Sequence, residues 1–145
     1  MIQVKTFQEL TKEELYAILK ARNAVFIVEQ TCPYQDLDGL DSKCLHVFEI
    51  ENGEISCYLR GYLKSDSPRT VHMGRVLTVK RGVGLGGELL KTGIRAMEAY
   101  FSPEQIYIEA QSYASGFYAR EGFQIVGDEF LEDGIPHVPM MRKSR

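Results

Sequence analysis

Arg81-Gly82-Val83-Gly84-Leu85-Gly86-Gly87 separates a strand from a helix, and its chemistry decides the fold. Residues 71 to 79 ahead of it form a long β-type run, and Leu89, Leu90, Ile94 and Met97 behind it recur at helical spacing. Glycines at such a junction let the backbone approach a phosphate closely, and the first free N–H groups of the helix point at it. Arg81 at the mouth adds a charge-assisted hydrogen bond. A nucleoside-triphosphate P-loop would need Gly-Lys-Ser/Thr after four spacer residues, and the stretch has none. Gly82-x-Gly84-x-x-Gly87 does satisfy the spacing of a dinucleotide fold, with Glu109 near where the ribose-binding acid belongs. Only 58 of the 145 residues follow Gly87, too few for a second mononucleotide half. Arg81-x-x-Gly84-x-Gly86 fits a third ligand, the pyrophosphate of coenzyme A.

Outward from this segment the chain reads as one continuous unit, residues 1 to 145, without repeat or low-complexity linker. A short strand over residues 2–7 precedes Thr11-Lys12-Glu13-Glu14, a capping box, and a helix from about 12 to 29. A polar loop covers 30–43. Strands over 44–51 and 55–63 flank Asn52-Gly53, a tight hairpin turn. A second turn at residues 65–68 leads to the strand over 71–79. Ser102-Pro103 ends the central helix, 106–110 is a buried strand, and a short helix over 115–121 stops at Gly122. Strands over 123–130 and 137–141 are joined by Glu132-Asp133-Gly134. The expected fold is mixed α/β, one twisted mixed sheet flanked by helices.

Composition narrows the class. The chain is 44% hydrophobic and 26% charged with net charge -3, ordinary for a globular domain. It has no apolar run long enough to span a bilayer, and no basic-then-apolar leader at Met1, so a cytoplasmic location and no membrane partner are expected. No Lys/Arg cluster suggests a nucleic-acid partner. Cys32, Cys44 and Cys57 are three thiols at wide spacing, and His46, His72 and His137 sit at no metal-ligand spacing, so neither a disulfide framework nor a metal is expected.

A second constellation follows the strand after the glycines: Gln111-Ser112-Tyr113-Ala114-Ser115-Gly116-Phe117-Tyr118-Ala119-Arg120-Glu121-Gly122-Phe123. Together with Arg81-Gly82-Val83-Gly84-Leu85-Gly86 it resembles the GNAT superfamily of N-acetyltransferases over nearly the whole chain. Arg22, Val25-Phe26-Ile27-Val28-Glu29-Gln30, Cys32-Pro33-Tyr34, Asp38-Gly39-x-Asp41, His46 and Glu132-Asp133-Gly134-Ile135-Pro136-His137 look like the ElaA-type branch. Val79-Lys80-Arg81 enters the loop more directly than family members usually do.

The resemblance implies a soluble enzyme that uses acetyl-CoA as co-substrate, with no metal, and acetylates a small-molecule or peptide amine. Leu77, Thr78 and Val79 would bind the pantetheine arm, and a backbone N–H there would face the oxyanion. Arg81, Gly82, Val83, Gly84, Leu85, Gly86 and Gly87 would cradle the pyrophosphate. Phe117 and Tyr118 would close on the coenzyme, with Tyr118 as general acid to the sulfur. The candidate bases are Glu109 and His137, then Glu29 and His46, with solvent water as the alternative. Glu29, Tyr34, Asp38, Asp41, His46, Arg75 and His137 are expected around the acceptor. Arg22 and Arg75, in otherwise apolar stretches, call for carboxylate partners among Asp38, Asp41 and Glu29. The edges of such a sheet allow a homodimer. A catalytically weak acyl-CoA sensor is the competing reading, and Tyr118 argues for turnover.

Overall fold

Thr11 and Glu14 form the expected reciprocal cap: the Glu14 N–H donates to Thr11 Oγ1 at 3.0 Å, and the Thr11 N–H donates to Glu14 Oε1 at 2.9 Å. The α-helix they start is shorter than its apolar pattern suggests. In the computed structural model, which describes residues 1–31, 35–79 and 84–144, α1 spans Lys12–Arg22. Residues Asn23–Glu29 continue in wider π-type turns. The apolar run Val25-Phe26-Ile27-Val28 does not distinguish the two windings, because it has no polar face to set a period. Wider turns re-aim side chains, often at functional sites, and here Val25 and Phe26 reach a cavity wall.

The strands are β1 (Gln3–Thr6), β2 (Leu45–Glu51), β3 (Glu54–Lys64), β4 (Ser67–Thr78), β5 (Gln105–Gln111), β6 (Gln124–Ile125), β7 (Phe130–Glu132) and β8 (Ile135–Lys143), with α2 (Leu85–Phe101) after β4 and α3 (Ser115–Ala119) after β5. They form one sheet in the order β1-β2-β3-β4-β5-β8-β6, with β7 also on β8. Neighbours are antiparallel except β4 and β5, joined in parallel through α2. The mixed sheet is thus as expected. Asn52 (φ 53°) and Gly53 (φ 77°) make the β2–β3 turn. The expected turn at 65–68 is tighter, because β4 already begins at Ser67. The expected strand over 123–130 is broken. Ile125 pairs with Met140 and Phe130 with His137, so five steps on one side face three on the other. Gly127 lies in this bulge, where a Cβ would come 2.9 Å from Pro139 Cγ.

Alternation along the strands gives the sheet two unlike faces. Leu59, Val71, Met73, Ile106, Ile108, Val138 and Met140 pack with Leu89, Leu90, Ile94 and Met97 of α2. The helix lies close: a Cβ on Gly93 would stand 2.7 Å from Leu59 Cδ2. On the other face Ala17 and Ile18 of α1 pack with Phe48, Tyr58 and Leu77. Val71 and Leu77 are six residues apart yet face opposite ways. The register explains it: Tyr58 pairs with Leu77 but Arg60 with Gly74, so β4 carries one extra residue, a bulge beside Arg75 at φ 50°.

Candidate functional site

β4 and β5 pair at only three positions: Thr70 with Gln105, Val71 with Ile106, and His72 with Tyr107. Beyond His72 the strands part, and a cavity of about 630 Å³ opens in the gap. The α2 face supplies Thr78, Gly86, Phe117 and Tyr118, and the opposite face supplies Tyr62, His72, Glu109 and His137. The gap therefore gives a molecule approaching from one face access to a molecule on the other.

On the α2 side, Gly84 caps the helix at φ 74°, a conformation suited to glycine, and a Cβ there or on Gly87 would meet nothing within 4 Å. The N-terminus of α2 is where a phosphate would meet free N–H groups. Leu85 begins α2 and packs on the core. Arg81, Gly82 and Val83 lie outside the described residues, as does Tyr34. Leu77 and Thr78 line the cavity, but the Val79 N–H donates to the Ser56 carbonyl at 2.8 Å. By the alternation of a strand, Thr78 turns its N–H the other way, into the gap. Tyr118 is 9% exposed, wedged between the rings of Phe117 and Phe123 at 5.1 and 6.0 Å. Its hydroxyl makes no hydrogen bond among the described residues although Tyr118 lines the cavity. Burial, with a smaller effect of Tyr113, pushes its pKa up to about 12, so it stays protonated and able to donate.

The opposite side carries a chain of polar rings. The Tyr62 hydroxyl lies 3.1 Å from His72 Nδ1, the His72 ring stands edge-on to Tyr107 at 5.2 Å, and the Tyr107 hydroxyl donates to Glu109 Oε2 at 2.9 Å. The Lys64 ammonium sits 4.3 Å above the Tyr107 ring. Burial raises the Tyr107 pKa to about 12, helped by the bond to Glu109 and the charges of Glu109 and Glu132. His137 donates from Nδ1 to the Ile135 carbonyl at 2.7 Å, and its Nε2 faces the Glu132 carboxylate at 3.6 Å.

Beside this wall the expected arginine partners assemble as a buried network. Arg22, fully buried, donates to Asp36 at 3.0 Å and Asp41 at 2.7 Å. Arg60 bridges Asp41 at 2.8 Å and grips both oxygens of Asp38. Arg75 reaches Asp36 at 2.8 Å and Asp38 at 3.4 Å. Asp41 and Asp38 are thus partners as expected for Arg22 and Arg75, while Asp36 and Arg60 complete the set. Burial opposes ionisation of Asp38, yet the bonds from Arg60 and the Leu40 N–H and the nearby arginine charges hold its pKa down at about 2. Three cations meet three carboxylates, so the network is neutral. The other charged side chains on the described wall are all acidic: Glu109, Glu132 and Asp133.

Of the residues expected around the acceptor, Asp38, Arg75 and His137 line the cavity, as does the candidate base Glu109. Glu29 and Asp41 do not, and neither does His46, which is fully buried. His46 donates from Nε2 to the Asp41 carbonyl at 3.0 Å, and its Nδ1 accepts from Tyr58 at 2.6 Å. Burial lowers its pKa, so it is a neutral, fully bonded strut. Tyr62, His72 and Tyr107 escaped the sequence analysis. Each is an ordinary strand residue, and only the register of β3, β4 and β5 brings them side by side. Among the described residues no cluster of His, Cys, Asp and Glu is arranged to hold a metal ion, and no helix is long and apolar enough to cross a membrane. The buried thiols are inert: burial raises Cys44 to about 12 and Cys57 to about 11.

Comparison with known proteins agrees with this architecture. The acetyltransferase (GNAT) domain model matches residues 6–144. Protein ElaA of Escherichia coli is 37% identical over 139 residues, 93% of this chain and 91% of ElaA. The crystal structure of E. coli ElaA superposes with a TM-score of 0.92 at 35% identity, covering 99% of each chain. An acyl-CoA N-acyltransferase from Pseudomonas aeruginosa superposes with a TM-score of 0.90 at 36% identity, covering 98% of this chain and 99% of the other.

Proposed function

The chain belongs to the GNAT acetyltransferase family, and from that premise we propose that it binds acetyl-CoA and passes the acetyl group to a primary amine by direct attack in a ternary complex. One observation carries the reading: Tyr118, whose hydroxyl makes no hydrogen bond among the described residues, and Gly86 in the first turn of α2 share one side of a gap whose other side carries Tyr62, His72, Glu109 and His137. Residues 84 to 87, with Arg81, Gly82 and Val83 before them, hold the pyrophosphate. Leu77 and Thr78 hold the pantetheine arm, and Phe117 packs beside it. The co-substrate brings a thioester, already activated, so the protein needs neither a metal nor a covalent relay. β4 aims its free N–H groups where the oxyanion develops. Tyr118 donates a hydrogen bond to the departing sulfur. Its pKa lies well above the ~8.5 of a simple thiol, so it stabilises the thiolate chiefly by that bond rather than by giving up its proton.

The wall charges define the amine. Arg60 and Arg75 are occupied by Asp36, Asp38 and Asp41, so a substrate carboxylate finds no cation there to replace water. The carboxylates of Glu109 and Glu132 remain as partners for a cationic amine. The acceptor is therefore an amine free of neighbouring acid groups, with polyamines the best case.

Release of free coenzyme A thiol from acetyl-CoA, followed across a panel of polyamines, monoamines, amino acids and peptide N-termini, tests this. Turnover is expected to be fastest with polyamines and slowest with amino acids. Tight acetyl-CoA binding with no thiol release from any amine would instead make the protein an acyl-CoA sensor.

A further inference from the structure

A neutral amine that adds to the thioester becomes a cationic adduct and must lose one proton as the amide forms, and none of the residues flagged in the sequence stands at the vertex where β4 and β5 part. His72 does, as the last paired residue of β4, opposite Tyr107. It lines the cavity on the acceptor side, while Tyr118 lines it from the α2 side. Resting on the transfer reading above, we infer that His72 is the catalytic base that takes the proton from the attacking amine, with Tyr62 positioning its ring.

The geometry restrains His72 on two sides and leaves one nitrogen over. Its Nδ1 is tied to the Tyr62 hydroxyl at 3.1 Å, and its ring is held against Tyr107 at an interplanar angle of 74°. Nε2 has no hydrogen-bond partner among the described residues. The active tautomer carries its proton on Nδ1, donates it to the Tyr62 oxygen, and keeps a lone pair on Nε2 for the amine. In the step, the amine nitrogen bonds to the thioester carbonyl carbon, the carbon–sulfur bond breaks, and the electron pair leaves on sulfur. His72 Nε2 takes the amine proton and later gives it to water. The other histidines are placed differently: both ring nitrogens of His46 are bonded inside the core, and Nε2 of His137 faces Glu132.

The surroundings keep His72 neutral, as a base must be. Burial lowers its pKa below the usual 6.5, and the charges of Lys64 and Arg60 on β3 and Arg75 on β4 push the same way. Glu109 on β5 opposes them and will stabilise the imidazolium once formed. Tyr62 and Tyr107 face the ring as neutral phenols.

The test measures kcat/KM against pH for the wild type, His72→Gln and Tyr62→Phe, with the fastest amine of the panel. Acetyl-CoA binding, read by thermal shift, establishes that each variant is folded. The wild-type profile should rise through an acid limb below pH 6.5. His72→Gln should lose ~10²–10⁴-fold in kcat and lose that limb, with acetyl-CoA affinity unchanged. Tyr62→Phe should keep the limb but move it and lose roughly tenfold, as expected for a residue that orients another. If His72→Gln retains wild-type kcat and the acid limb, the assignment is overturned while the transfer reading stands. If the wild type turns over no amine, both fall.

Discussion

At the proposed coenzyme end of the cavity the described residues fall in two short stretches: the first turn of α2, with Gly86 on the cavity wall, and Phe117 and Tyr118 on one short helix. At the acceptor end Tyr62, His72, Glu109 and His137 come from β3, β4, β5 and β8. The first end is local backbone chemistry, in which glycines and a helix terminus suffice to receive a phosphate. The second is a product of tertiary register, and it leans on the neutral Arg–Asp network behind it. The contrast teaches that the two ends should fail differently when disturbed.

The largest effect is expected from the network. Asp41→Ala removes the carboxylate shared by Arg22 and Arg60 and leaves buried cations underpaired. A loss of ~3–5 kcal/mol of unfolding free energy is expected in denaturant melts. A loss below ~1 kcal/mol would mean that the network is not what holds the acceptor wall. Acid should loosen the same region. The Asp38 pKa is depressed in the fold, so its stabilisation is complete above the unfolded value near 3.9 and is lost as pH falls toward about 2.

Next comes a pair of substitutions, one at each end. Gly84→Val places a β-branched side chain at φ 74° and in the phosphate approach, so acetyl-CoA should no longer raise the melting point. At a hundredfold excess over Kd the stabilisation forfeited is ~2.7 kcal/mol. Glu109→Gln should leave that shift intact and raise the amine KM about tenfold. Equal effects of both substitutions on coenzyme affinity would erase the distinction between the ends.

The comparison also explains what the sequence discloses. Thr11 with Glu14, Asn52-Gly53 and Gly84 before α2 act within a few residues, and each appears in the fold as its local chemistry requires. Arg22 and Arg75 announced a need for carboxylates because a guanidinium among apolar neighbours demands one. His72 announced nothing. Its position depends on three-residue pairing with β5 across the whole of α2, a long-range fact without local sign. The interruption of the expected strand at 123–130 has a similar origin, since Gly127 answers to Pro139 on another strand. Residues 23–29 fell between the two cases, locally helical but wound to suit the cavity.

A single hydroxyl gives the subtlest test of the proposed coenzyme end. Tyr118→Phe keeps the ring packed between Phe117 and Phe123 and removes only the hydroxyl. Acetyl-CoA Kd should barely move, and kcat should drop by ~10². An unchanged kcat would make Tyr118 a packing residue. A raised Kd at constant kcat would make it part of the coenzyme wall only.

The short β4–β5 pairing has a mechanical consequence. The sheet is two slabs, β1 to β4 and β5 with β6, β7 and β8, stitched along a line of three rungs and strapped by α2. Below the last rung the lips of the tear present backbone donors and acceptors that neither slab can satisfy alone. An extended amide-bearing chain laid between them, as proposed for pantetheine, would act as a removable ninth strand. On that proposal the co-substrate would also sew the two halves together, so that catalysis and rigidity would arrive with the same molecule.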